Sequence, residues 1–247
     1  MYKFLLIVLN FFLIFNVYSS SESNEKKILD YISNNNLSQA MELIEQGLKK
    51  SATDVSHMEL KSRVQTLMGD KVKDEDKKVE FYEKAQDTAS KLIEVHPKSA
   101  KGYNRRAVAK GKQILFKGIL QSRALVLELR EDAKKTLSLS GVSNYDKALA
   151  NYLLGRAHIK LAKKPRALRM PLGLAWASNK KGGEFLKKAV ELSPDIVSFN
   201  LSYSEYLIDK EKTSEAKVLL EKIKSLKNND PADAERKAKA IELLKNL

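Results

Sequence analysis

Apolar residues recur at intervals of three and four along almost the whole chain, and this periodicity constrains the fold more than any other sequence feature. Three of these stripes are Leu37, Ala40, Met41, Ile44 and Leu48; Leu149, Leu153, Ala157 and Leu161; and Ala216, Leu219, Leu220 and Ile223. Such spacing places apolar side chains on one face of an α-helix, and each face needs a partner helix to cover it. No run of alternating β-branched residues favours a sheet, so the sequence predicts an all-α chain.

Helix breakers divide these helices into units that resemble one another. The breakers are Pro97, Gly141, Pro165, Pro171, Pro194 and Pro231. Ala89–Pro97, Ala133–Gly141 and Leu186–Pro194 share one pattern, a small or apolar residue, two mostly basic or polar positions and an apolar run to the breaker. This pattern resembles the second helix of a tetratricopeptide repeat. Leu154-Gly155 followed by His158 resembles the first helix, in which glycine lets the paired helices approach.

We therefore expect one tetratricopeptide-like helical domain over residues 22–247, an α-solenoid with four or five degenerate repeats. The spacing of 34 residues from Pro194 to Asn228 is the length of one such repeat. The predicted hairpins cover roughly 25–50, 55–96, 99–140, 144–193 and 196–226. Residues 232–247 are expected to form a capping helix. The charged stretch 70–80 is expected to be a loop or the exposed start of a long helix.

The N-terminal residues predict a segment that is separate from this domain. Residues 4–17 are an apolar run of 14 residues interrupted only by Asn10 and Asn16. A helix of this length spans about 21 Å, short of the roughly 30 Å hydrocarbon core of a bilayer. Because small residues follow, we expect a signal peptide over residues 1–19, cleaved after Ser19 or Ser21. The predicted location is periplasmic, and the alternative is an uncleaved anchor in the inner membrane.

The composition argues against catalysis. The chain has no cysteine and only three histidines, which excludes a disulfide framework, a zinc–thiolate site and a cysteine nucleophile. No phosphate loop or catalytic signature is present. His57, His96 and His158 are expected to have structural roles. The sequence therefore predicts a protein that is not an enzyme, with no catalytic residue, no metal ligand and no cofactor.

The middle of the chain resembles two narrower groups of helical-repeat proteins. Tyr103–Ala107, Leu153–His158, the insert Pro165–Ala177 and Phe185–Pro194 together resemble the helical-repeat domain of the regulator of microtubule dynamics family. The resemblance covers about residues 99–226. The chain is also similar to the periplasmic T-component of tripartite ATP-independent transporters. Both resemblances imply a helical-repeat fold and neither implies a reaction. A microtubule role requires a cytosolic location, which the signal segment disfavours.

The net charge of +14 is concentrated in two segments. Residues 98–127 carry +8 without any acid, residues 156–188 carry +9 with Glu184 as their one acid, and the remainder of the chain carries −3. Such segments predict a basic concave surface that binds a protein partner or an anionic ligand such as lipid headgroups. The predicted binding residues are Arg106, Lys110, Lys117, Arg156, Lys160, Lys163, Lys164, Arg166 and Arg169. The alternative is that these are solvated faces of lysine-rich helices. Nucleic acid is disfavoured by the predicted export and by the few aromatic residues outside the signal segment.

The insert Pro165–Ala177 (hereafter the insert) is the second segment of interest. Its two prolines and Gly173 prevent a continuous helix, yet its side chains are too apolar for a loop in water. We expect it to pack over the open side of the helical array. Alternatively, Tyr103, Leu172 and Trp176 line a ligand cavity, or the insert contacts a membrane surface. The favoured function is an exported, non-enzymatic scaffold, and the alternative is an accessory ligand-handling T-component of a transporter.

Overall fold

A computed structural model describes residues 24–116 and 122–247, and every regular element within these ranges is helical. The predicted signal peptide and Lys117 lie outside the described residues. The helices are α1 (24–33), α2 (Leu37–Lys50), α3 (Val55–Lys71), α4 (Glu75–Val95), α5 (Ala100–Gln113), α6 (Arg123–Ser138), α7 (Asn144–Ala162), α8 (Arg166–Arg169), α9 (Asn179–Leu192), α10 (Val197–Asp209), α11 (Thr213–Ser225) and α12 (Asp233–Lys245).

These helices form five hairpins, each close to its predicted boundaries. The hairpins pair α1 with α2, α3 with α4, α5 with α6, α7 with α9, and α10 with α11, and successive hairpins stack. Polar caps set several helix starts, because the side chains of Asp54, Asp74, Ser99, Ser143 and Ser178 accept backbone N–H groups of the first turn. The prediction of an all-α array of helical hairpins is confirmed. The stretch 70–80 contains the short loop after α3 and the exposed start of α4.

A close glycine crossing joins the two helices of the fourth hairpin. A Cβ atom on Gly155 would lie 2.8 Å from the Leu186 side chain and 3.0 Å from the Gly182 carbonyl oxygen. A Cβ atom on Gly182 would lie 2.5 Å from Cγ1 of Ile159. Neither position has room for a larger residue, so the packing of α7 on α9 depends on both glycines. The predicted role of Gly155 is confirmed.

The core runs along the array as a series of clusters rather than as one centre. The first cluster contains Ile28, Ile44 and Val64 from α1, α2 and α3. The last cluster contains Leu220 of α11 and Ala240 of α12. Helix α12 thus covers the apolar face of the last hairpin, as the sequence predicts for a capping helix.

The insert packs in part as predicted. Leu174 and Ala177 are buried against Val126 and Leu161, so the insert covers apolar surface between α6 and α7. The guanidinium of Arg169 is buried and donates to the carbonyl oxygens of Lys164 (2.9 Å), Leu174 (3.0 Å) and Ala177 (3.1 Å). Two apolar residues depart from the prediction, because Leu168 and Met170 have 65% and 59% of their surface exposed.

Candidate partner-binding groove

The first helices of the hairpins line a groove of about 1120 Å³. Contacts of α3 with α5 and of α5 with α7 place these helices side by side along it. Its apolar lining includes Leu67, Val108, Leu129, Leu149, Leu153 and Phe199. The volume lies slightly above the range of about 300–1,000 Å³ typical of small-ligand pockets. A concave surface of this kind is where helical-repeat arrays bind their partners.

Two cations on the α5 side of the groove are neutralised within the protein. Arg105 forms a buried ion pair with Glu59, and Lys112 contacts Asp70 at 2.6 Å. Burial alone would raise the pKa of Glu59, but the positive charges of Arg105, Arg63 and Lys101 outweigh it and lower that pKa below its usual value. These cations therefore contribute to the packing of α5 on α3 and leave little free charge for a ligand.

Arg106 and Lys110 are also paired internally, although the sequence predicts them as binding residues. Arg106 contacts Asp132 at 2.6 Å and 3.0 Å through two nitrogens, and Lys110 contacts the same carboxylate at 3.0 Å. Lys110 also lies 3.0 Å from Glu128. Both cations face α6 and neither lines the groove. Their predicted role in partner binding is therefore not supported, because their charge holds α5 against α6.

The cations at the C-terminal end of α7 are not paired internally, in contrast to Arg106 and Lys110 of α5. Arg156 and Lys160 of α7 and Lys164, two residues after its end, line the groove, and within the described ranges none of them forms an ion pair. Arg156 donates to the Tyr152 hydroxyl at 3.0 Å and to Ser202 Oγ at 3.3 Å. Burial first, and then the nearby Arg156 and Lys163, lower the pKa of Lys160. The charge of Glu205 opposes this shift in part, but Glu205 itself pairs with Lys239. Arg156, Lys160 and Lys164 (hereafter the α7 wall) thus carry concentrated positive charge with no carboxylate within 4 Å in the described residues.

The segment 227–236, which runs from the loop after α11 into the first turn of α12 (hereafter the closing segment), bounds the groove on another side. Arg63 of α3 donates to the Asn229 carbonyl oxygen at 2.7 Å, which joins the last turn of the array to the second hairpin. Asp233 Oδ2 accepts the backbone N–H groups of Asn229 and Asp230, and Arg236 bonds both Asp230 and Asp233. Sequence reasoning identified only a turn here. The spacing of Asp230 and Asp233 about Pro231 is the local signal that could have revealed a self-capped turn.

The remaining predicted residues lie elsewhere. Lys163 and Arg166 are exposed and do not line the groove, and Arg169 uses its donors inside the insert. Tyr103, Leu172 and Trp176 are also absent from the groove lining, so the structure does not support their predicted place in this cavity. Trp176 instead packs edge-on against His158, and the Arg130 guanidinium lies 4.6 Å from its ring centre.

Sequence reasoning missed other groove residues. Tyr145 and Tyr152 line the groove from α7, and Lys227 and Arg236 line it from the closing segment. The helical spacing of Tyr145, Tyr152 and Arg156 on α7 places them on one face, which is the available signal for the tyrosines. The closing segment reaches the groove through a contact between residues 166 positions apart, and periodicity carries no information about such contacts.

The histidines make structural contacts. The His57 ring shares a 2.6 Å hydrogen bond with Asp54 at the start of α3, and His96 Nε2 lies 2.7 Å from the Thr53 carbonyl oxygen. Nδ1 of the buried His158 accepts the Ser178 N–H at 3.1 Å, and burial lowers the pKa of His158 to about 4. In the described part of the chain, no group of three or more histidine, aspartate or glutamate side chains could hold a metal ion. Among the helices described, none is both long enough and apolar enough to cross a membrane.

Comparison with known proteins agrees with this architecture. The sequence model of a protein family described as "Regulator of microtubule dynamics protein 1-3" matches residues 26–247. The structure is similar to that of TTC0263, a thermophilic TPR protein of Thermus thermophilus, with a TM-score of 0.63 and 16% identity over 90% of this chain and 98% of that one. It is also similar to Pseudomonas aeruginosa pilF, with a TM-score of 0.53 and 11% identity over 91% of this chain and 90% of that one. No curated protein sequence matches the chain significantly.

Proposed function

The chain belongs to the regulator of microtubule dynamics family, and on this premise we propose that it is a non-enzymatic scaffold that binds an acidic segment of a protein partner in its groove. The observation that carries the proposal is the α7 wall, where Arg156, Lys160 and Lys164 face the groove without a carboxylate partner in the described residues. Arg156 is half-buried and Lys160 and Lys164 are exposed, so a carboxylate from a partner can reach all three and form charge-assisted hydrogen bonds with them.

The groove favours a segment that is both apolar and acidic. Leu149, Leu153 and Phe199 offer an apolar surface beside the basic wall. An amphipathic helix or an extended strand can place apolar side chains on this surface and carboxylates on the α7 cations. Electrostatic attraction then sets the orientation of the segment and speeds its association, and both effects weaken as salt rises.

The location of the scaffold is a separate part of the proposal. The apolar run at residues 4–17 supports export through a signal peptide or an N-terminal anchor. We place the helical domain outside the cytosol, so its partner is an envelope protein rather than a microtubule. Retention of the domain in the cytosolic fraction of the native host would contradict this part alone.

A peptide selection tests the binding proposal. Random peptides displayed on phage are selected on the immobilised chain, and the affinity of the enriched peptides is measured by fluorescence anisotropy. We expect peptides with two or more acids among apolar residues. Replacing Arg156, Lys160 and Lys164 by glutamine should weaken their binding at least tenfold without loss of helicity, since charge-assisted hydrogen bonds are lost.

The matched control removes the same charge outside the groove. Lys187 and Lys188 of α9 and Lys212 before α11 are exposed, and each has a carboxylate partner within 4 Å. Their replacement by glutamine should leave the affinity within about twofold, because exposed ion pairs contribute little. Enriched peptides without acids, or an equal loss of affinity in both triple variants, would contradict the proposal.

A second candidate is the accessory ligand-handling role in transport. The groove volume favours it, since about 1120 Å³ holds a small solute as readily as a peptide segment. The test is thermal unfolding in the presence of small dicarboxylates. Stabilisation that disappears in the Arg156, Lys160 and Lys164 variant would favour this role, and an unchanged melting temperature would argue against it.

A further inference from the structure

The insert exposes two large apolar side chains in a chain that buries most others. Leu168 and Met170 have 65% and 59% of their surface in solvent. Arg169 lies between them in sequence and is buried, so its two neighbours face outward. We call residues 166–171 the insert tip. Single exposed apolar residues are common on protein surfaces, but an adjacent pair on a projecting loop is a feature of interaction sites.

The insert tip and the segments before and after it in sequence carry exposed cations that have no internal partner. Lys163, Arg166, Lys180 and Lys181 are exposed and form no ion pair within residues 24–116 and 122–247. Exposed cations elsewhere commonly have one, such as Lys212 with Glu215 and Lys239 with Glu205. The combination of exposed apolar groups and unpaired cations complements a surface that is anionic outside and apolar beneath.

The tip is held rigidly in this exposed position. The Arg169 guanidinium donates to three carbonyl oxygens, those of Lys164, Leu174 and Ala177, and thereby ties the two sides of the insert together. The side chain of Leu174 is fully buried and holds this hydrogen-bonded part of the insert against the core. The apolar side chains are thus presented without the entropy cost of ordering a loose loop on binding.

We propose that the insert tip docks the protein onto the surface of an anionic lipid bilayer. Leu168 and Met170 enter the boundary between headgroups and acyl chains, and Lys163, Arg166 and Lys180 contact the anionic headgroups. A surface that is acidic throughout would satisfy the cations but would leave the two apolar side chains in water, whereas an anionic bilayer takes up both. The docking surface lies outside the groove lining, so this proposal stands independently of the proposed function.

A fluorophore at the tip tests the proposal in the full chain. Since the chain has no cysteine, Met170→Cys provides one labelling site for an environment-sensitive dye. Vesicles of phosphatidylcholine with about a third phosphatidylglycerol should shift the emission to the blue as the dye leaves water. Lys163→Gln with Arg166→Gln should raise the lipid concentration for half the shift about 25-fold, since each cation strengthens binding about fivefold.

The control label is Val218→Cys on α11, a position with 70% of its surface exposed. It reports any attachment through the apolar residues 4–17, which both labelled chains share, and should show no shift. The charge control, Lys212→Gln with Lys224→Gln, should leave the lipid dependence unchanged. Equal shifts at 170 and 218, no shift at 170, or a shift that survives in pure phosphatidylcholine would overturn the proposal. A shift with polyglutamate and none with vesicles would also overturn it, and would assign the tip to an acidic protein.

Discussion

Asp132 of α6 forms ion pairs with two cations of α5. Its buried carboxylate holds Arg106 and Lys110 of α5. Asp132→Ala leaves both cations without this partner, and Lys110 is itself buried. We expect the free energy of unfolding to fall by about 3–5 kcal/mol, the usual cost of breaking a buried ion pair. Urea denaturation followed by circular dichroism measures it.

The adjacent Glu131 supplies the control for that measurement. Its carboxylate has 64% of its surface exposed and pairs with Lys134 in the same helix. Glu131→Ala should change the free energy of unfolding by no more than about 0.5 kcal/mol. If Asp132→Ala were as mild as Glu131→Ala, the network would not stabilise the packing of α5 on α6.

His158 makes stability depend on pH in a defined window. Its folded-state pKa is about 4, below the ordinary value of 6.5, chiefly because burial disfavours the charged ring. The unfolded chain therefore binds more protons between these values, and the free energy of unfolding falls as pH drops from about 6.5 to about 4. Its contribution is fully present above pH 7. His158→Gln should flatten this part of the pH profile, measured by urea denaturation.

The carboxylates with lowered pKa values change the free energy of unfolding mainly below the pH range in which His158 does. Glu59, Asp54 and Asp230 have lowered pKa values, so the stability that they contribute is lost only as pH falls below their ordinary pKa values of 4.5 for Glu and 3.8 for Asp. A wild-type profile that is flat between pH 5 and 6.5, or a His158→Gln profile that keeps the same slope there, would show that His158 is solvated rather than buried.

At the scale of the helices, the fourth hairpin depends on its glycine crossing. Gly155→Leu forces a side chain into the space of Leu186 and the Gly182 backbone, so α7 and α9 must separate. We expect the loss of about 3 kcal/mol or more of unfolding free energy, above the usual range for overpacking because the backbone leaves no room. Thermal unfolding measures the effect.

Gly111→Ala is the matched control, because Gly111 lies inside α5 and a Cβ there approaches only Cδ1 of Leu129, at 3.3 Å. The flexible leucine can move slightly, and alanine favours the helix by about 1 kcal/mol over glycine. We expect this variant to be at least as stable as the wild type. A wild-type melting temperature for Gly155→Leu would contradict the close crossing.

Element boundaries were predictable from the sequence because they depend on local information. Apolar periodicity, prolines and capping residues all act within one or two helical turns, and the five hairpins follow from them. The ion pairs of Arg106 and Lys110 are not predictable in this way, because their partner Asp132 lies in the next helix, just beyond the acid-free run. Leu168 and Met170 were misjudged because hydrophobicity alone does not reveal that Arg169 takes the buried position between them.

At the scale of the whole molecule, the basic charge divides into two physical roles. The cations of α5 are largely paired with Glu59 and Asp70 of α3 and with Asp132 of α6, so the first acid-free segment mainly joins α5 to its neighbouring helices. The second segment keeps its charge free in the groove wall of α7 and at the insert tip. The cations that bear on partner binding are therefore those that remain after the internally paired ones are set aside.

The closing segment connects distant parts of the helical array. Its contact with Arg63 brings the end of the chain to the second hairpin, so the groove is bounded by residues from almost the whole described sequence. A partner that fills the groove can contact the α7 wall, apolar residues such as Leu149 and Leu153, and this segment together. The central claim is therefore that a partner occupies the groove, rather than the outer surface of the array.

Site-specific photo-crosslinking in the native host tests that claim most directly. Tyr145 lines the groove with 40% of its surface exposed, and benzoylphenylalanine can replace it with a similar ring. Val218 on α11 is the outer position for comparison. We predict an adduct from position 145 whose crosslinked peptide is rich in acids, and its loss when Arg156, Lys160 and Lys164 become glutamine. Adducts from position 218 alone, or an adduct at 145 that survives the charge replacement, would contradict a partner held in the groove by the α7 cations.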